Sequence, residues 1–233
     1  MSNKIFIVIP VYNEEKVVAD VINEVKNAGY ENIIAVDDGS SDDTFNIISS
    51  IPGITALRHK INRGKGAATK TGIEAAKLLK ADIIVTMDGD GQHDPEDIRK
   101  LISPIMNNSC DNNNCDVVLG TRLKNQRKEM PVAKIIANRI GNLFTWYLFG
   151  LWVSDSQSGF RAYSRQAAEK INTQADRYDY ESEVIREIYV YKLKYKEIPI
   201  SVRYTDYSMG KFHGQGFFNG VKTLYKMIWK LIG

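Results

Sequence analysis

Cysteine is scarce in this sequence. Only two cysteines, Cys110 and Cys115, occur among 233 residues, and both lie in the polar stretch 107–116. A structural metal site would need further ligands close by, and none is evident in this stretch. Because the cysteine count is low, we expect two reduced thiols in a surface loop.

Long apolar runs are also lacking. A helix that crosses a bilayer needs about 20 apolar residues, and the most apolar stretch, residues 143–153, is shorter and is flanked by Arg139 and Asp155. The apolar run 5–11 is too short for a secretory signal and is followed at once by Tyr12. We therefore expect no transmembrane domain, and a cytoplasmic protein that can lie peripherally on the cytosolic face of a membrane.

A strong excess of one charge is missing too. Lysine and arginine total 31 against 28 aspartate and glutamate residues, a formal net charge of +3. So small an excess gives no global attraction to nucleic acid, and we expect no nucleic-acid partner. With 43% hydrophobic and 25% charged residues, the composition is that of an ordinary globular protein. A chain of 233 residues fits a single domain, residues 1–233.

What the sequence does contain is a regular alternation of strand and helix patterns. Buried strands are predicted at residues 5–9, 33–36, 54–57, 83–87 and 117–119, with Pro10 ending the first. Helices are predicted at residues 14–28, from 42 to about 50, 65–79, and from 95 to about 106. This alternation predicts an α/β fold, Rossmann-like, with a mostly parallel sheet and helices on both faces.

Polar clusters follow three of these strands. They are Tyr12-Asn13-Glu14, Asp37-Asp38-Gly39 and Asp88-Gly89-Asp90. In an open parallel sheet the ligand site lies at the carboxyl ends of the strands. The three clusters are therefore predicted to converge on one site.

The third cluster has the composition of a metal site. Asp88 and Asp90 stand two residues apart in a glycine-rich turn, and Gln92 adds a third oxygen on the same side. Such oxygen ligands suit Mg²⁺ or Mn²⁺, which bridge to substrate phosphates. The alternative is a capped and solvated turn. The position after a buried strand favours a metal site formed by Asp88, Asp90 and Gln92.

The second cluster suits recognition of a nucleotide. A carboxylate at this strand end can accept hydrogen bonds from ribose hydroxyls or from a base N–H. Asp42 and Asp43 can already cap the next helix, which leaves Asp37 and Asp38 free for a ligand.

A basic, glycine-containing turn at residues 62–66 precedes the helix that begins at Lys65. Cations and backbone N–H groups at a helix N-terminus suit a phosphate, so we expect Lys65 to bind substrate there. A flexible basic turn without a ligand is the alternative.

Five motifs together resemble the family 2 glycosyltransferases, and most of all their dolichyl-phosphate mannose and glucose synthase branch. The motifs are Val8-Ile9-Pro10-Val11-Tyr12-Asn13-Glu14-Glu15, Val36-Asp37-Asp38-Gly39-Ser40, Arg63-Gly64-Lys65-Gly66-Ala67, Met87-Asp88-Gly89-Asp90-Gly91-Gln92-His93 and Ser158-Gly159-Phe160-Arg161. They come in the family's order over roughly residues 4–210. The resemblance implies a GT-A fold and inverting transfer of a hexose from a UDP- or GDP-sugar to a polyprenyl phosphate such as dolichyl phosphate.

The resemblance also assigns roles to single residues. It implies that Asp88, Asp90 and Gln92 hold the metal. Nucleotide contacts fall on the positions Pro10, Tyr12, Glu14 and Asp38. Acceptor phosphate contacts fall on the positions Arg122 and Arg139.

A phosphate acceptor changes the chemistry that the protein must supply. A sugar hydroxyl needs a general base in order to attack, whereas a phosphate monoester is already anionic and needs cationic positioning. Arg161 and Lys211 can add to the cations that supply it. Asp155 then has an orienting role rather than that of a base.

Two segments, at about 132–151 and 216–232, are amphipathic. In the second, Phe217, Ile228 and Ile232 share one helical face, with Lys222, Lys226 and Lys230 opposite. Such helices can lie on a membrane surface, or they can pack on the sheet. Some relatives carry transmembrane helices after the catalytic domain, so a separate membrane-protein partner is a further expectation. Two other functions stay open: a soluble family 2 transferase that acts on a sugar or protein hydroxyl, and a non-catalytic nucleotide-binding protein.

Overall fold

The computed structural model describes residues 3–110, 114–122, 143, 146, 150–177 and 179–203. The strands are β1 (Ile5–Val11), β2 (Ile33–Asp37), β3 (Thr55–Arg58), β4 (Ile83–Thr86), β5 (Val117–Thr121), β6 (Arg161–Ser164) and β7 (Tyr195–Pro199). The helices are α1 (Val18–Asn27), α2 (Thr44–Ser50), α3 (Lys65–Leu78), α4 (Ile98–Met106), α5 (Arg165–Lys170) and α6 (Tyr180–Val190). A short 3₁₀ turn, Pro95–Asp97, leads into α4.

The seven strands form one sheet in the order β3-β2-β1-β4-β6-β5-β7. Strands β1 to β4 run parallel, and β5 is parallel to β7. Strand β6 lies between β4 and β5 and is antiparallel to both. The predicted α/β fold with a mostly parallel sheet is therefore confirmed, with one antiparallel strand inside it.

Both faces of the sheet are covered, as predicted. Alternate residues of β1 enter different apolar clusters: Ile7 and Ile9 pack with α1 and α4, whereas Phe6 and Val8 pack with α3 and α6. A strand covered on both sides must be apolar at every position, which explains the continuous apolar run of β1. Each large aliphatic side chain buried in this way contributes about 1.5–3 kcal/mol.

The prediction that Pro10 ends the first strand is wrong. Strand β1 continues through Pro10 to Val11. Proline lacks an N–H group and is tolerated in a strand where no neighbour needs that donor. Pairing between β1 and β4 stops at Val8 and Thr86, so Pro10 lies beyond β4, while the ladder to β2 continues.

The expectation of two reduced thiols in a surface loop is also wrong. Cys110 and Cys115 are joined in a disulfide, with their Cα atoms 4.8 Å apart. Cys115 is buried and belongs to the apolar cluster beside α4. The chain reverses direction between α4 and β5, and this brings the two residues together.

Several predicted features lie outside the described residues. Of the amphipathic segment 132–151 the structure describes only Leu143, Trp146, Gly150 and Leu151. The side chains of Leu143 and Trp146 are 50% and 47% exposed. The segment 216–232, Arg139 and Lys211 are not among the described residues. Within the described residues, every helix is too short or too polar to cross a bilayer.

Candidate active site

The polar clusters do meet at one edge of the sheet. Strands β2, β1 and β4 are neighbours, and their carboxyl ends point the same way. Backbone hydrogen bonds from Asp38 N to Val11 O (2.9 Å) and from Met87 N to Val8 O (3.0 Å) tie these ends together. The three clusters therefore lie side by side, as the strand pattern predicted.

Lys65 is the cation at the centre of this edge. Its Nζ lies 2.6 Å from Asp88 Oδ1 and 3.1 Å from Glu181 Oε1. The three residues come from the first turn of α3, from the loop after β4 and from the first turn of α6. Burial alone would lower the pKa of Lys65, but the two carboxylates raise it above its usual value. Lys65 is therefore firmly positively charged.

Asp88 and Asp90 differ in their tendency to ionise. Burial would raise the pKa of Asp88, but Lys65 above all, with Arg122, holds it at about 2. Burial and the nearby Asp88 carboxylate raise the pKa of Asp90. Two neighbouring carboxylates in a largely buried loop disfavour each other's charge, and a bound cation would relieve that repulsion.

This donor set fits a small divalent cation. Among the described residues, no three His, Cys, Asp or Glu side chains cluster as a metal site. Mg²⁺ is often held by one or two carboxylates, with substrate phosphates and water completing its shell. Asp88 and Asp90 supply two carboxylates, and Gln92 follows directly, its backbone N donating to Asp90 Oδ1 at 3.0 Å. A metal would therefore rest on these residues together with the substrate.

His93 anchors the loop that carries the carboxylates. Its ring stacks on Phe160 with the centroids 4.8 Å apart. Burial lowers the pKa of His93 below its usual value, so the ring is neutral, and Nδ1 accepts a hydrogen bond from Asp88 N at 3.3 Å. The motif around Phe160 thus helps to position the loop that carries the predicted metal ligands.

Asp37 and Asp38 are not free, contrary to the expectation from sequence. Asp38 accepts from Arg63 N at 3.0 Å and Gly64 N at 2.6 Å, and it lies 2.7 Å from His59 Nδ1. Asp37 is fully buried, accepts from Ser40 N at 3.1 Å and pairs with Arg58 Nε at 3.1 Å. The helix-capping argument overlooked these partners because they come from β3 and from the loops that follow β2 and β3. A carboxylate has lone pairs for more than one donor, so nucleotide contacts stay a prediction.

Arg122 and Asp155 form a buried ion pair after β5. Arg122 donates from Nε and Nη2 to the two carboxylate oxygens at 2.7 and 2.8 Å, and from its backbone N at 3.1 Å. Burial would raise the pKa of Asp155, but Arg122 lowers it below its usual value. The pair fixes the direction of the guanidinium. The predicted contact of Arg122 with an acceptor phosphate stays a prediction.

Arg161 lies deeper in the fold than Lys65 and Arg122. It is 2% exposed and donates to the backbone carbonyls of Ser156, Ser158 and Glu181 at 2.8–3.1 Å. As the first residue of the interior strand β6, it lies beneath the site and ties the 156–158 loop to α6. Arg161 nevertheless lines the small cavity that also contains Lys65 and Asp88, so its predicted contact with a substrate stays a prediction.

The remaining predicted contacts lie near the same edge. Pro10 lines a small cavity together with Lys65, Asp88 and Glu181. Tyr12 is 44% exposed at the end of β1, whereas Glu14 is 8% exposed and its backbone N donates to Thr44 Oγ1 at 2.8 Å. Arg139 and Lys211 are the predicted site residues that the described part of the chain does not include.

Sequence reasoning missed Glu181. The residue is 5% exposed and contacts Lys65 at the centre of the site. A signal was present, because Glu181 shares one helical face with Val184, Ile185 and Ile188, all of which are buried in α6. An acidic residue on the apolar face of a helix needs a buried partner, and here that partner is Lys65.

Comparison with known families agrees with this geometry. The sequence model described as "Glycosyl transferase family 2" matches residues 6–172, which contain the clusters after β1, β2 and β4 and the Phe160 motif. The chain belongs to glycosyl transferase family 2. The family resemblance of the five motifs is thereby confirmed, and the protein is a family 2 glycosyltransferase.

Proteins with similar sequences also support the assignment of this chain to the glycosyltransferases. The UDP-N-acetylglucosamine–dolichyl-phosphate N-acetylglucosaminyltransferase of Methanococcus voltae is 39% identical, over 100% of this chain and 98% of its own. The dolichol-phosphate mannosyltransferase of Pyrococcus furiosus is 27% identical, over 97% of this chain and 64% of its own. Both names refer to dolichol phosphate, which is the kind of lipid phosphate that the resemblance of the motifs implied.

Among solved structures, glucosyl-3-phosphoglycerate synthase from Mycobacterium tuberculosis has a similar fold. It superposes with a TM-score of 0.66 at 19% identity, over 88% of this chain and 72% of its own. That structure contains Mn²⁺, uridine diphosphate and phosphoglyceric acid. The similarity confirms the GT-A fold of this glycosyltransferase, which was predicted from its motifs.

Proposed function

We propose that this protein transfers a sugar, with inversion, from a nucleoside diphosphate to a polyprenyl phosphate such as dolichyl phosphate. Inversion means direct displacement at the anomeric carbon, with the nucleoside diphosphate as leaving group. The observation that carries the donor half is the cluster of Asp88, Asp90 and Lys65 at the carboxyl edge of a GT-A sheet.

UDP-N-acetylglucosamine is the first donor to test. The Methanococcus voltae relative named for this donor is similar over almost its whole length. A UDP-hexose or a GDP-hexose is the alternative, since another relative is named for mannosyl transfer.

Asp88, Asp90 and Gln92 would hold Mg²⁺ or Mn²⁺ in this reaction. When bound, such an ion neutralises the charge that develops on the leaving diphosphate. Lys65 brings a second positive charge to the same place, at the N-terminus of α3, where phosphates are favoured. Pro10, Tyr12, Glu14, Asp37 and Asp38 stand where the nucleotide would meet the ends of β1 and β2.

The acceptor phosphate would lie beside Arg122. A phosphate monoester carries its own negative charge and attacks without a general base, so the site must position it. Asp155 orients Arg122 through two hydrogen bonds, which is the role proposed for this carboxylate. Arg139 and Lys211 are the further cations proposed for the phosphate.

A lipid acceptor requires access to a membrane surface. The amphipathic segments 132–151 and 216–232 are proposed to lie on the cytosolic face, alone or with a separate membrane protein. The exposed side chains of Leu143 and Trp146 support this for the first segment.

Incubation with radiolabelled nucleotide sugars, Mn²⁺ and a polyprenyl phosphate tests the proposal. We expect label from one donor to become soluble in organic solvent. Label that appears instead on a water-soluble hydroxyl acceptor would support a soluble transferase. No transfer from any donor, with binding of a nucleotide intact, would support a non-catalytic binding protein.

A further inference from the structure

The ammonium group of Lys65 contacts the Asp88 carboxylate, which a metal would also use. Lys65 Nζ contacts Asp88 Oδ1, and this oxygen is buried. The Asp88 side chain is nevertheless 26% exposed, so another part of it faces the open edge of the site. Lys65 and a metal can therefore both approach Asp88.

Two cations on one carboxylate repel each other. At separations of a few ångströms in a partly buried site, two positive unit charges repel each other strongly enough to weaken the binding of either one. Without a further anion, Lys65 therefore opposes binding of a metal at Asp88. A nucleoside diphosphate would reverse this effect, because its phosphates attract both cations.

Lys65 has enough N–H donors for the site without nucleotide and for the site with a diphosphate bound. An ammonium has three N–H donors, and the contacts with Asp88 and Glu181 use two of them. The side chain is 34% exposed, so the third donor can meet a phosphate oxygen. Glu181 approaches from α6 and keeps the ammonium in place when a metal withdraws the charge of Asp88.

We propose that Lys65, positioned by Glu181, couples binding of the metal to binding of the donor. Without nucleotide, the ammonium weakens the affinity of Asp88 and Asp90 for a divalent cation. With the donor's diphosphate present, the same ammonium becomes a ligand contact, and both affinities rise together. Glu181 acts through Lys65 and is a positioning residue. The inference rests on the proposed function, since it requires a diphosphate donor at this edge.

The test measures Mn²⁺ affinity by titration calorimetry, without nucleotide and with saturating UDP or GDP. The ratio of the two dissociation constants reports the coupling, and linkage requires the nucleotide's affinity to change by the same factor. The decisive variant is the double substitution Lys65→Met and Glu181→Gln, which keeps the net charge of the wild type. We expect its Mn²⁺ affinity without nucleotide to rise about threefold and its coupling ratio to fall about tenfold, within the usual range of coupling between sites.

A second ion pair on the same helix provides the control. Lys77 Nζ and Glu74 Oε1 lie 2.7 Å apart on α3, away from the carboxyl edge. The double substitution Lys77→Met and Glu74→Gln also leaves the net charge unchanged. Both the Mn²⁺ affinity and the coupling ratio should stay at their wild-type values.

The single substitution Glu181→Gln tests the positioning role. With Glu181 neutral, Lys65 is left with Asp88 alone, so Mn²⁺ affinity without nucleotide should fall about threefold. Glu181→Asp, which keeps the charge, should restore part of the affinity. A residue that only stabilised the fold would change the melting temperature without changing the coupling ratio.

The possible outcomes separate the two proposals. One outcome is a wild type that binds Mn²⁺ and nucleotide and transfers sugar, together with a double variant that keeps the wild-type coupling ratio. That result contradicts the role of Lys65 and leaves the proposed function intact. A wild type that binds neither UDP nor GDP contradicts the proposed function and the coupling with it. If the double variant does not fold, the Glu181→Gln measurement decides, and an unchanged Mn²⁺ affinity would then overturn the inference.

Discussion

The backbone of Gly159 passes directly beneath the carboxylate of Asp88. A Cβ atom at position 159 would lie 2.6 Å from Asp88 Oδ1 and 2.6 Å from Lys65 Nζ. Atoms do not approach so closely, so one of the two charged groups would have to move. Glycine at position 159 therefore leaves room for both charged groups where the loop before β6 crosses the candidate metal site.

The first prediction follows from this contact. Gly159→Ala should displace Asp88 or Lys65 and lower the transfer rate at least about tenfold, while overpacking destabilises the fold by about 1–3 kcal/mol. Transfer assays and urea denaturation measure the two effects. Gly53→Ala is the control for activity, because a Cβ there would meet no atom of the described chain within 4 Å, while its φ of +79° means that this variant should also lose some stability. It should leave activity unchanged, and equal activity of the two variants would contradict the prediction.

The second prediction concerns the metal. Asp88→Ala or Asp90→Ala should lower transfer at least about 10³-fold, since a bound cation supplies several kcal/mol of charge stabilisation. The far-ultraviolet circular dichroism should stay that of the wild type. Excess EDTA should abolish activity, and Mn²⁺ or Mg²⁺ should restore it. Full activity in EDTA would show that the reaction does not use a metal.

The third prediction concerns the stability of the Arg122–Asp155 pair. Asp155→Ala removes a buried carboxylate from Arg122, whose own side chain is 15% exposed, so the loss should be about 1–3 kcal/mol, below that of a fully buried pair. Urea denaturation measures the loss. The exposed pair Arg165–Asp82, whose side chains are 46% and 42% exposed, is the comparison. Asp82→Ala should cost less than about 1 kcal/mol of ion-pair energy, and equal losses at both sites would contradict the assignment.

The fourth prediction gives the pH dependence of the same pair. Because Arg122 lowers the pKa of Asp155 below 3.8, the folded state binds the proton less tightly than the unfolded chain. The contribution of the pair is therefore complete above about pH 4 and is lost as the pH falls through the lower, folded-state pKa. Denaturation of the wild type and of Asp155→Asn between pH 7 and pH 2 checks this. The difference in stability should be constant above pH 5 and should shrink below pH 4.

The fifth prediction concerns membrane attachment through residues 216–232, which lie outside the described structure. Each lysine near an anionic surface contributes about 1 kcal/mol, so Lys222, Lys226 and Lys230 together give about a hundredfold in partitioning. Cosedimentation with anionic vesicles should retain the wild type and release the triple Glu variant. If both sediment alike, the segment is not the anchor.

Much of the donor side of the fold could be predicted from sequence. Strands β1, β2 and β4 are short apolar runs followed by polar turns, and parallel strands bring their carboxyl ends to one edge. This was enough to place Asp88 and Asp90 beside the ends of the neighbouring strands. The local sequence pattern and the sheet topology predict the same arrangement there, so little knowledge of long-range contacts was needed.

The other half of the sheet and the contacts of α6 could not be predicted in the same way. Strands β6 and β7 have four and five residues with mixed polarity, and nothing in their pattern fixes a register. The burial of Arg161 depends on carbonyls from two separate segments. The site role of Glu181 depends on Lys65, which is far away along the chain. Such contacts are set by tertiary packing, which a local pattern does not contain.

The antiparallel strand β6 also sets the distance between the two strands beside it. It stands between β4, which leads to Asp88, and β5, which leads to Arg122. Neighbouring strands are spaced by about 4.8 Å, so the two strand ends are held about 10 Å apart. This separation is set by hydrogen bonds within the sheet, and changes in the surface loops leave it intact. Loop variation in such a protein can therefore change the surroundings of Asp88 and Arg122, while the spacing of the two strand ends stays the same.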